Sequence, residues 1–308
     1  MTVRVAARLV WAWLAALLAG CATGLPPAPS AVFFDDFSQP DVAGLAGSGW
    51  TVRDKPGHPG VSGATWRPDA VALADDPARP GNRLLRLRAR TDGTPEGTQH
   101  AQLCHERKYF EGSYAARIRF TDRPATGPDG DVVVQTFYLG SPLRFDFDPQ
   151  YSEVDWEYLP NGGWGDTRTR LYGVTWQTVQ LNPWNAFNQA HEEYRSLDGW
   201  HVLAMQVAGG EVRFFLDGAP LARHGGRNYP AVPMSLNFNL WFSPGALLAD
   251  TAAERVYVQD VDWVYHAKDR VLSPAQIEAA VAALRRAGTP RADTVPAADP
   301  PLPSPCDF

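Results

Sequence analysis

Residues 152–158 read Ser-Glu-Val-Asp-Trp-Glu-Tyr and alternate polar with apolar side chains. A period of two is typical of a β-strand with one buried face, because successive side chains point to opposite sides. In such a strand Glu153, Asp155 and Glu157 share one face, and the apolar residues between them form the other. The stretch therefore predicts a strand between a hydrophobic core and an acid-lined surface.

The same alternation recurs from Val32 to about His266, in short runs bounded by Gly, Pro, Asn and Asp. The clearest runs are residues 114–120, 132–139, 152–159, 212–216, 234–242 and 256–265. No long helical period separates these runs, which argues against alternating strands and helices. We therefore predict an all-β fold, an antiparallel two-sheet jelly-roll sandwich.

One short helix is predicted near the C-terminus, within residues 268–289. Ser273 supplies an N-cap, Pro274 a first-turn proline and Gln276 a capping-box partner. Gly288 and Pro290 end the helical pattern. Residues 290–308 are rich in Pro, Asp and Ala, and this composition predicts a poorly ordered tail.

The N-terminus carries a targeting signal. Arg4 and Arg8 precede an apolar run of signal-peptide length that ends Leu-Ala-Gly-Cys at Cys21. This ending resembles a bacterial lipobox, so residues 1–20 are predicted to be a cleaved signal peptide and Cys21 the lipidated residue. Residues 21–31 then form a Pro/Gly-rich tether. We expect a lipid-anchored protein of the cell envelope, held in the outer membrane if the host is a diderm bacterium.

The charge of the chain excludes one class of partner. The formal net charge is −6, and loss of Arg4 and Arg8 with the signal peptide makes it −8. Nucleic-acid binding depends on clustered Lys and Arg, which the sequence lacks. We predict no nucleic-acid partner, contact with the membrane only through the lipid anchor, and a monomer.

The three carboxylates have a chemical use in glycoside hydrolysis. A retaining enzyme holds two carboxyl groups about 5–5.5 Å apart, one as nucleophile and one as acid and then base. Four strand residues span roughly 13 Å, so Glu153 and Glu157 would have to lean towards each other. An inverting separation, a charged solvent face and a Ca²⁺ site are alternatives that the spacing leaves open.

Residues 153–157 resemble the catalytic signature of glycoside hydrolase family 16, the concanavalin A-like jelly-roll family of glucanases, galactanases and transglycosylases. Further resemblances extend over residues 32–267, the predicted catalytic domain. They are residues 32–37, 112–119, 200–218, 239–241 and 260–265.

The resemblance implies particular roles and an activity. Glu153 would be the nucleophile, Glu157 the acid/base and Asp155 a helper that supports the nucleophile. From its position between the two glutamates, the negative charge of Asp155 should also raise the pKa of the acid/base. The implied function is endo-acting, retaining hydrolysis of a β-linked glucan or galactan without a catalytic cofactor. A transglycosylase of the same family and a non-catalytic carbohydrate-binding lipoprotein are the alternatives.

Several residues are predicted to bind the polysaccharide, because aromatic faces stack on sugar rings and amides hydrogen-bond to hydroxyls. Asn239 and Trp241 lie on the polar face of one alternating run, and Tyr151 shares a face with Glu153. Trp176 ends a run expected beside the catalytic strand, and Trp164 lies in a Gly-rich loop. Packing is the alternative for Trp241, Tyr151 and Trp176, and packing of the loop is the alternative for Trp164.

Two further hypotheses concern the stability of the domain. Cys104 and Cys306 are the thiols that remain beside Cys21, and an exported compartment permits a disulfide between them. A structural Ca²⁺ ion is the second hypothesis, because hard oxygen ligands suit it and some family members carry one. The candidate ligands are Asp35, Asp36, Asp260 and Asp262.

Overall fold

The computed structural model describes residues 31–248 and 253–308. Within them the chain forms seventeen strands and two α-helices, which we number β1–β17, α1 and α2 in chain order. The strands are Val32–Asp35, Trp50–Val52, Thr65–Trp66, Val71–Asp75, Arg83–Thr91, Gln99–His105, Gly112–Phe120, Val133–Gly140, Glu153–Leu159, Arg170–Gln180, Asn185–Glu193, Gly199–Ala208, Glu211–Leu216, Ala219–Gly225, Ser235–Phe242, Arg255–Lys268 and Arg291–Asp293. The helices are Val42–Ala46 and Pro274–Arg286.

The strands form two layers, in which every pair is antiparallel except the short parallel pair of β3 with β6. The front sheet has the order β2, β6, β15, β8, β9, β10, β11. The back sheet has the order β4, β5, β16, β7, β12, β13, β14, and β1 and β17 extend it beside the second half of β16. The predicted all-β jelly-roll sandwich is therefore confirmed.

The hydrophobic core lies between the two sheets and fixes the direction of the side chains on β9. Val154, Trp156 and Tyr158 are fully buried in it, and Trp156 meets Phe214 of the back sheet with ring centroids 5.1 Å apart. Burying each such side chain contributes about 1.5–3 kcal/mol. A slip of one residue would put these side chains outside, so the core holds the acidic residues on the outer face of the front sheet.

Helix α2 confirms the predicted short C-terminal helix. The Ser273 side chain accepts a hydrogen bond from the backbone N–H of Gln276, and the Gln276 side chain accepts one from the N–H of Ser273. Ile277 and Val281 then pack on the outer face of the back sheet, against a cluster that includes Trp263. The helix thus covers the sheet face that lies away from the acidic strand.

The prediction of a poorly ordered tail over residues 290–308 is wrong. Strand β17 pairs with β1, and the Thr294 N–H donates to the Val32 carbonyl at 2.8 Å. Cys306, in a 3₁₀ turn over Pro305–Asp307, forms a disulfide with Cys104 of β6. The C-terminal segment is thus attached to the back sheet through β17 and to the front sheet through Cys306. The predicted Cys104–Cys306 disulfide is confirmed.

The predicted signal peptide, the lipidation residue Cys21 and residues 21–30 of the tether lie outside the described residues. Ala31, the last residue of the tether, accepts a hydrogen bond from the backbone of Lys268 at 2.9 Å. No helix within the described residues is long and apolar enough to cross a membrane.

Candidate active site

The three carboxylates of β9 lie side by side on the outer face of the front sheet. Strands β8 and β10 flank β9, so that Asp155 is opposite Tyr138 on one side and Val174 on the other. Asp155 is 1% exposed, whereas Glu153 and Glu157 are partly exposed. The central acid is therefore shielded from water and the two glutamates remain accessible.

Burial changes the protonation of both glutamates. It raises the pKa of Glu153 to about 7, against a smaller opposing effect of a hydrogen bond with Asp155. It raises the pKa of Glu157 to about 8, and the negative charge of Glu153 adds to this shift. Because an isolated glutamic acid titrates near 4.3, both groups are poised close to neutral pH.

Asp155 is the most strongly perturbed of the three acids. Burial raises its pKa well above the usual range, and the charges of Glu153 and Glu157 raise it further. The Trp176 indole N–H donates to Asp155 Oδ2 at 2.5 Å. Asp155 Oδ1 is buried and has no hydrogen-bond partner among the described residues.

The neighbouring charge that raises the pKa of Glu157 is not the one that the sequence led us to expect. We expected the negative charge of Asp155 to raise the pKa of Glu157. Burial is the main cause of the raised pKa of Glu157, and the charge that adds to it is that of Glu153. Burial and the charges of both glutamates favour the protonated form of Asp155. The sequence did not show this, because burial of Asp155 depends on neighbouring strands.

The arrangement can divide acid and nucleophile between two groups on one strand. The pKa of Glu153 is raised to about 7 and that of Glu157 to about 8, so Glu153 is the more readily ionised of the two glutamates near neutral pH. An ionised carboxylate beside a protonated one is the requirement for displacement at a sugar carbon with acid assistance.

Trp176 and Asn239 are the predicted binding residues that the structure places next to the acids. Trp176 is partly exposed, lies opposite Glu153 on β10 and contacts Asp155. Asn239 is buried, and its side chain pairs with Thr136, which lies opposite Glu157. Trp176 is exposed enough to contact a ligand directly. Asn239 is buried, and its side chain is already hydrogen-bonded to Thr136.

Tyr151 and Trp164 lie at opposite ends of β9. Tyr151 is partly exposed and precedes the strand by two residues, close to Glu153 in the chain. Trp164 is 51% exposed in the loop between β9 and β10, with its ring 5.4 Å from that of Tyr172. Tyr172 lies opposite Glu157, so Trp164 borders the Glu157 end of the face.

Trp241 packs in a small cluster and is not an open platform. It is 7% exposed and contacts Trp66, Val134 and Leu159. Its indole N–H is buried without a partner among the described residues. Trp66 comes from the segment that follows β2 and covers this half of the front sheet, which the alternation of β15 could not reveal.

A polar network beside the acids was missed in the sequence. Tyr138 lies opposite Asp155 and is 8% exposed, and its hydroxyl meets Gln102 Nε2 at 2.5 Å. The side-chain oxygen of Gln102, Oε1, accepts a hydrogen bond from Arg53 Nη1 at 2.8 Å. Burial, followed by the charge of Glu153, raises the pKa of Tyr138 well above its usual range. The alternation of residues 132–139 places Tyr138 on the acidic face and could have identified it.

The four acids considered for Ca²⁺ do not fit an ion. Asp262 is paired with three arginines, Arg79, Arg117 and Arg285, at 2.6–2.9 Å. Arg86 pairs with Asp260 at 2.7 Å, and Trp50 donates to Asp35. Among the described residues no group of three or more His, Cys, Asp or Glu could hold a metal ion. Asp260 and Asp262 serve structural ion pairs, and the calcium hypothesis is not supported at these positions.

No protein-family model and no curated protein matches the chain by sequence. Solved structures match it by fold. A prokaryotic β-1,3-1,4-glucanase (lichenase) derived from a mouse hindgut metagenome is 18% identical, and the match covers 77% of this chain and 99% of that one with a TM-score of 0.55.

Two further structures match over similar lengths. A glycoside hydrolase family 16 endo-glucanase from Bacteroides ovatus, in complex with G4G3G-2F-DNP, is 15% identical over 75% of this chain and 98% of that one, with a TM-score of 0.56. A LamA variant from Z. galactanivorans, in complex with laminaritriose and laminaritetraose, is 17% identical over 78% and 99%, with a TM-score of 0.53. The chain therefore has the jelly-roll fold of the family 16 glycoside hydrolases.

Proposed function

We propose, on the basis of this family 16 fold and the acids of β9, that the chain is a retaining glycoside hydrolase that cuts a β-linked glucan or galactan internally. The observation that carries the proposal is the row of three acids on the outer face of β9, where burial raises the pKa of Glu153 to about 7 and that of Glu157 to about 8. A surface of structural charges would have paired cations, and no described arginine or lysine forms an ion pair with these three acids.

In the first step Glu153 attacks the anomeric carbon of the bound sugar. Glu157 gives its proton to the glycosidic oxygen, so that the departing chain leaves as a neutral alcohol. The C–O bond to the leaving sugar breaks as the bond to the Glu153 carboxylate forms. The product of this step is a covalent glycosyl-enzyme with inverted configuration.

In the second step Glu157, now ionised, takes a proton from an incoming water molecule. The oxygen of that water attacks the anomeric carbon and displaces the Glu153 carboxylate, which inverts the configuration again and gives net retention. Transfer to a sugar hydroxyl in place of water follows the same course. Exclusion of water from the acceptor position decides between the two outcomes.

Asp155 and Trp176 would hold Glu153 ready for attack. Neutral Asp155 donates to Glu153, and the Trp176 indole N–H fixes the Asp155 carboxyl. This hydrogen bond lowers the pKa of Glu153 against the effect of burial and so favours the ionised nucleophile. Tyr151, Trp164, Trp176 and Asn239 remain the proposed substrate-binding set, with Trp176 the best placed, whereas Trp241 belongs to its buried cluster.

The proposed substrate class follows the neighbours in fold. The LamA variant is in complex with laminaritriose and laminaritetraose, and the mouse-hindgut protein is a β-1,3-1,4-glucanase. From these neighbours we propose for this chain only the class of substrate, a β-linked polysaccharide, and no particular linkage. We also propose that the protein is a monomer, lipidated at Cys21 and held at the cell envelope.

The proposal is tested by incubating purified protein with a panel of β-glucans and β-galactans and measuring released reducing ends. We expect release from at least one polymer and loss of more than 1000-fold, on the order expected for removal of a nucleophile, in Glu153→Gln. Glu211→Gln, which changes a partly exposed carboxylate on the back sheet, is the matched control.

No release from any member of the panel, or full activity in Glu153→Gln, would contradict the proposal. Retention of polymer without release would favour the carbohydrate-binding lipoprotein. Products longer than the substrate would identify transfer to sugar in place of hydrolysis.

A further inference from the structure

The edge of the molecule next to Trp176 carries a group of exposed apolar side chains. We call this group the aromatic ridge, and its members are Phe145, Phe147, Leu181, Trp184 and Phe187. Their exposed fractions range from 38% to 57%. Five of the nine exposed large hydrophobic residues in the described part of the chain thus lie together. Such clustering on a soluble surface marks a contact site more often than chance.

Two segments build the aromatic ridge and are fastened to each other. The loop between β8 and β9 lies against the end of β10, where the Phe147 N–H donates to the Val179 carbonyl at 2.8 Å. The Leu181 N–H donates to Asp146 Oδ1 at 3.1 Å. Across this junction the rings of Phe147 and Phe187 lie 6.0 Å apart. The apolar side chains therefore stand on a connected surface.

Backbone geometry at Phe147 presents its ring to solvent. Phe147 has a φ of 59°, in the left-handed region that a bulky side chain rarely adopts. Its ring is 38% exposed, so burial of the ring does not compensate for this conformation. Strained residues that are kept at a surface concentrate at functional sites.

The aromatic ridge is continuous with the acids of β9. The rings of Trp184 and Trp176 meet edge to face, with centroids 6.1 Å apart. Trp176 in turn donates to Asp155. A polymer bound over Glu153 could therefore extend over Trp176 and Trp184 to the rest of the aromatic ridge.

The chemistry around the rings suits a neutral sugar. Residues 181–189 contain no charged side chain, and four exposed amides lie among the rings, at Asn182, Asn185, Asn188 and Gln189. Amides can hydrogen-bond to sugar hydroxyls while the rings stack on the apolar faces of pyranoses.

The charges at the other side of the aromatic ridge disfavour an anionic membrane surface. Arg144 is paired with Asp148 at 2.6 Å, and Asp146 adds a second acid to this loop. Attraction to anionic lipid needs an excess of cations, which residues 141–151 do not have.

We infer that the aromatic ridge is an accessory glycan-binding surface, which holds pyranose units of the polysaccharide beyond those bound at β9. This inference rests on the proposed function, because it takes the acids of β9 as the place of cleavage. It goes beyond that function by assigning an outer binding surface and a preference for long chains. Sugar units on the β10 and β11 side of the cleavage point would contact it.

The test measures affinity for polymer by electrophoresis in gels that contain the β-glucan or β-galactan. The parent is the full-length chain with Glu157→Gln, which slows turnover, and Cys21→Ser, which removes the proposed lipid. Into this parent we introduce Trp184→Ala and Phe187→Ala, separately and together. Phe308→Ala is the matched control, since Phe308 is 54% exposed and lies next to Cys306, on the β6 side of the front sheet.

Each single ridge variant should lose roughly fivefold in affinity for the polymer and the double variant more than roughly tenfold, on the scale of lost aromatic contacts. The loss should be smaller for a trisaccharide, which cannot span both surfaces. Trp184→Tyr should recover most of the affinity, and unchanged unfolding midpoints would show that the fold is intact. Equal affinity of the parent and the double variant would overturn the inference.

A lipid surface is the other occupant that the test can identify. If the ridge variants keep their affinity for polymer but lose binding to vesicles of phosphatidylglycerol and phosphatidylcholine, the inference is wrong. If the wild type releases reducing ends and the ridge variants bind polymer as the parent does, the glycan-binding role of the aromatic ridge is refuted and the hydrolase proposal stands. If the ridge variants lose affinity for polymer but the wild type releases no reducing ends, the glycan-binding role of the aromatic ridge is supported and the hydrolase proposal is refuted.

Discussion

Glu153 and Glu157 share a strand and a chemical type, yet their surroundings separate their titrations. Asp155 donates a hydrogen bond to Glu153, whereas Glu157 faces the charge of Glu153. The first contact favours the ionised form of its glutamate and the second favours the protonated form. The alternation of residues 152–158 predicts the shared face of the acids, but the proton distribution depends on burial by β8 and β10.

The raised pKa of Glu157 has a consequence for stability. Its pKa is near 4.3 in an unfolded chain and about 8 in the folded protein, so folding retains a proton between these values. The wild-type contribution from this proton is fully present below pH 4 and is lost as the pH rises through about 8. Glu157→Gln has no such dependence.

We therefore expect the unfolding midpoint of Glu157→Gln, relative to the wild type, to rise between pH 5 and pH 8 and to level off above pH 8. Thermal unfolding followed by circular dichroism across this range measures the difference. Glu211→Gln is the control, because Arg223 and Arg213 lower the pKa of Glu211, which therefore stays ionised in the folded and the unfolded chain over this range, so its difference from the wild type should stay nearly constant. A difference that does not change with pH would show that Glu157 titrates as it does in water.

Secondary-structure elements differ in how much of their placement the sequence reveals. Helix α2 has local signals, since Ser273, Pro274 and Gln276 specify its start within four residues. Strand β17 has none, because its partner β1 lies more than 250 residues earlier and its neighbours are Pro, Asp and Ala. The cover over Trp241 was missed for the same reason: Trp66 reaches it from a distant segment.

The Cys104–Cys306 disulfide closes a loop with a sequence separation of 202 and fastens the C-terminal segment to the front sheet. A loop of this size restricts the unfolded chain, so Cys306→Ser should lower the free energy of unfolding by about 2–4 kcal/mol. Denaturation in urea measures the change. Reductant should destabilise the wild type by a similar amount and leave the variant unaffected. Equal midpoints of wild type and variant without reductant would show that the bridge adds no stability.

At the scale of the whole molecule, the sandwich places its two faces in different roles. The back sheet is covered in part by α2 and crossed by arginine–aspartate pairs, including Arg86 with Asp260. The front sheet carries the acids, Trp176 and the aromatic ridge. The resemblance of short motifs over residues 32–267 predicted this fold. No family model or curated protein matches the chain by sequence, whereas solved structures match it by fold.

Membrane attachment is a property of the whole chain that Cys21 is proposed to control. The lipobox-like ending predicts that the wild type fractionates with membranes and that Cys21→Ser is released. Separation of membrane and soluble fractions, followed by immunoblotting, measures the distribution. Cys306→Ser serves as the control for loss of a cysteine. Continued membrane association of Cys21→Ser would show that acylation at this residue is not the anchor.

The division of labour between Glu153 and Glu157 is the central claim, and the configuration of glycosyl azides tests it most directly. An activated β-glycoside of the substrate sugar is incubated with each alanine variant and azide, and the products are analysed by proton NMR. Without its nucleophile, Glu153→Ala should let azide attack directly and give the inverted α-azide. With the nucleophile intact, Glu157→Ala should form the covalent intermediate and give the retained β-azide. The reverse assignment of products would exchange the two roles, and inverted azide from both variants would contradict the double-displacement mechanism.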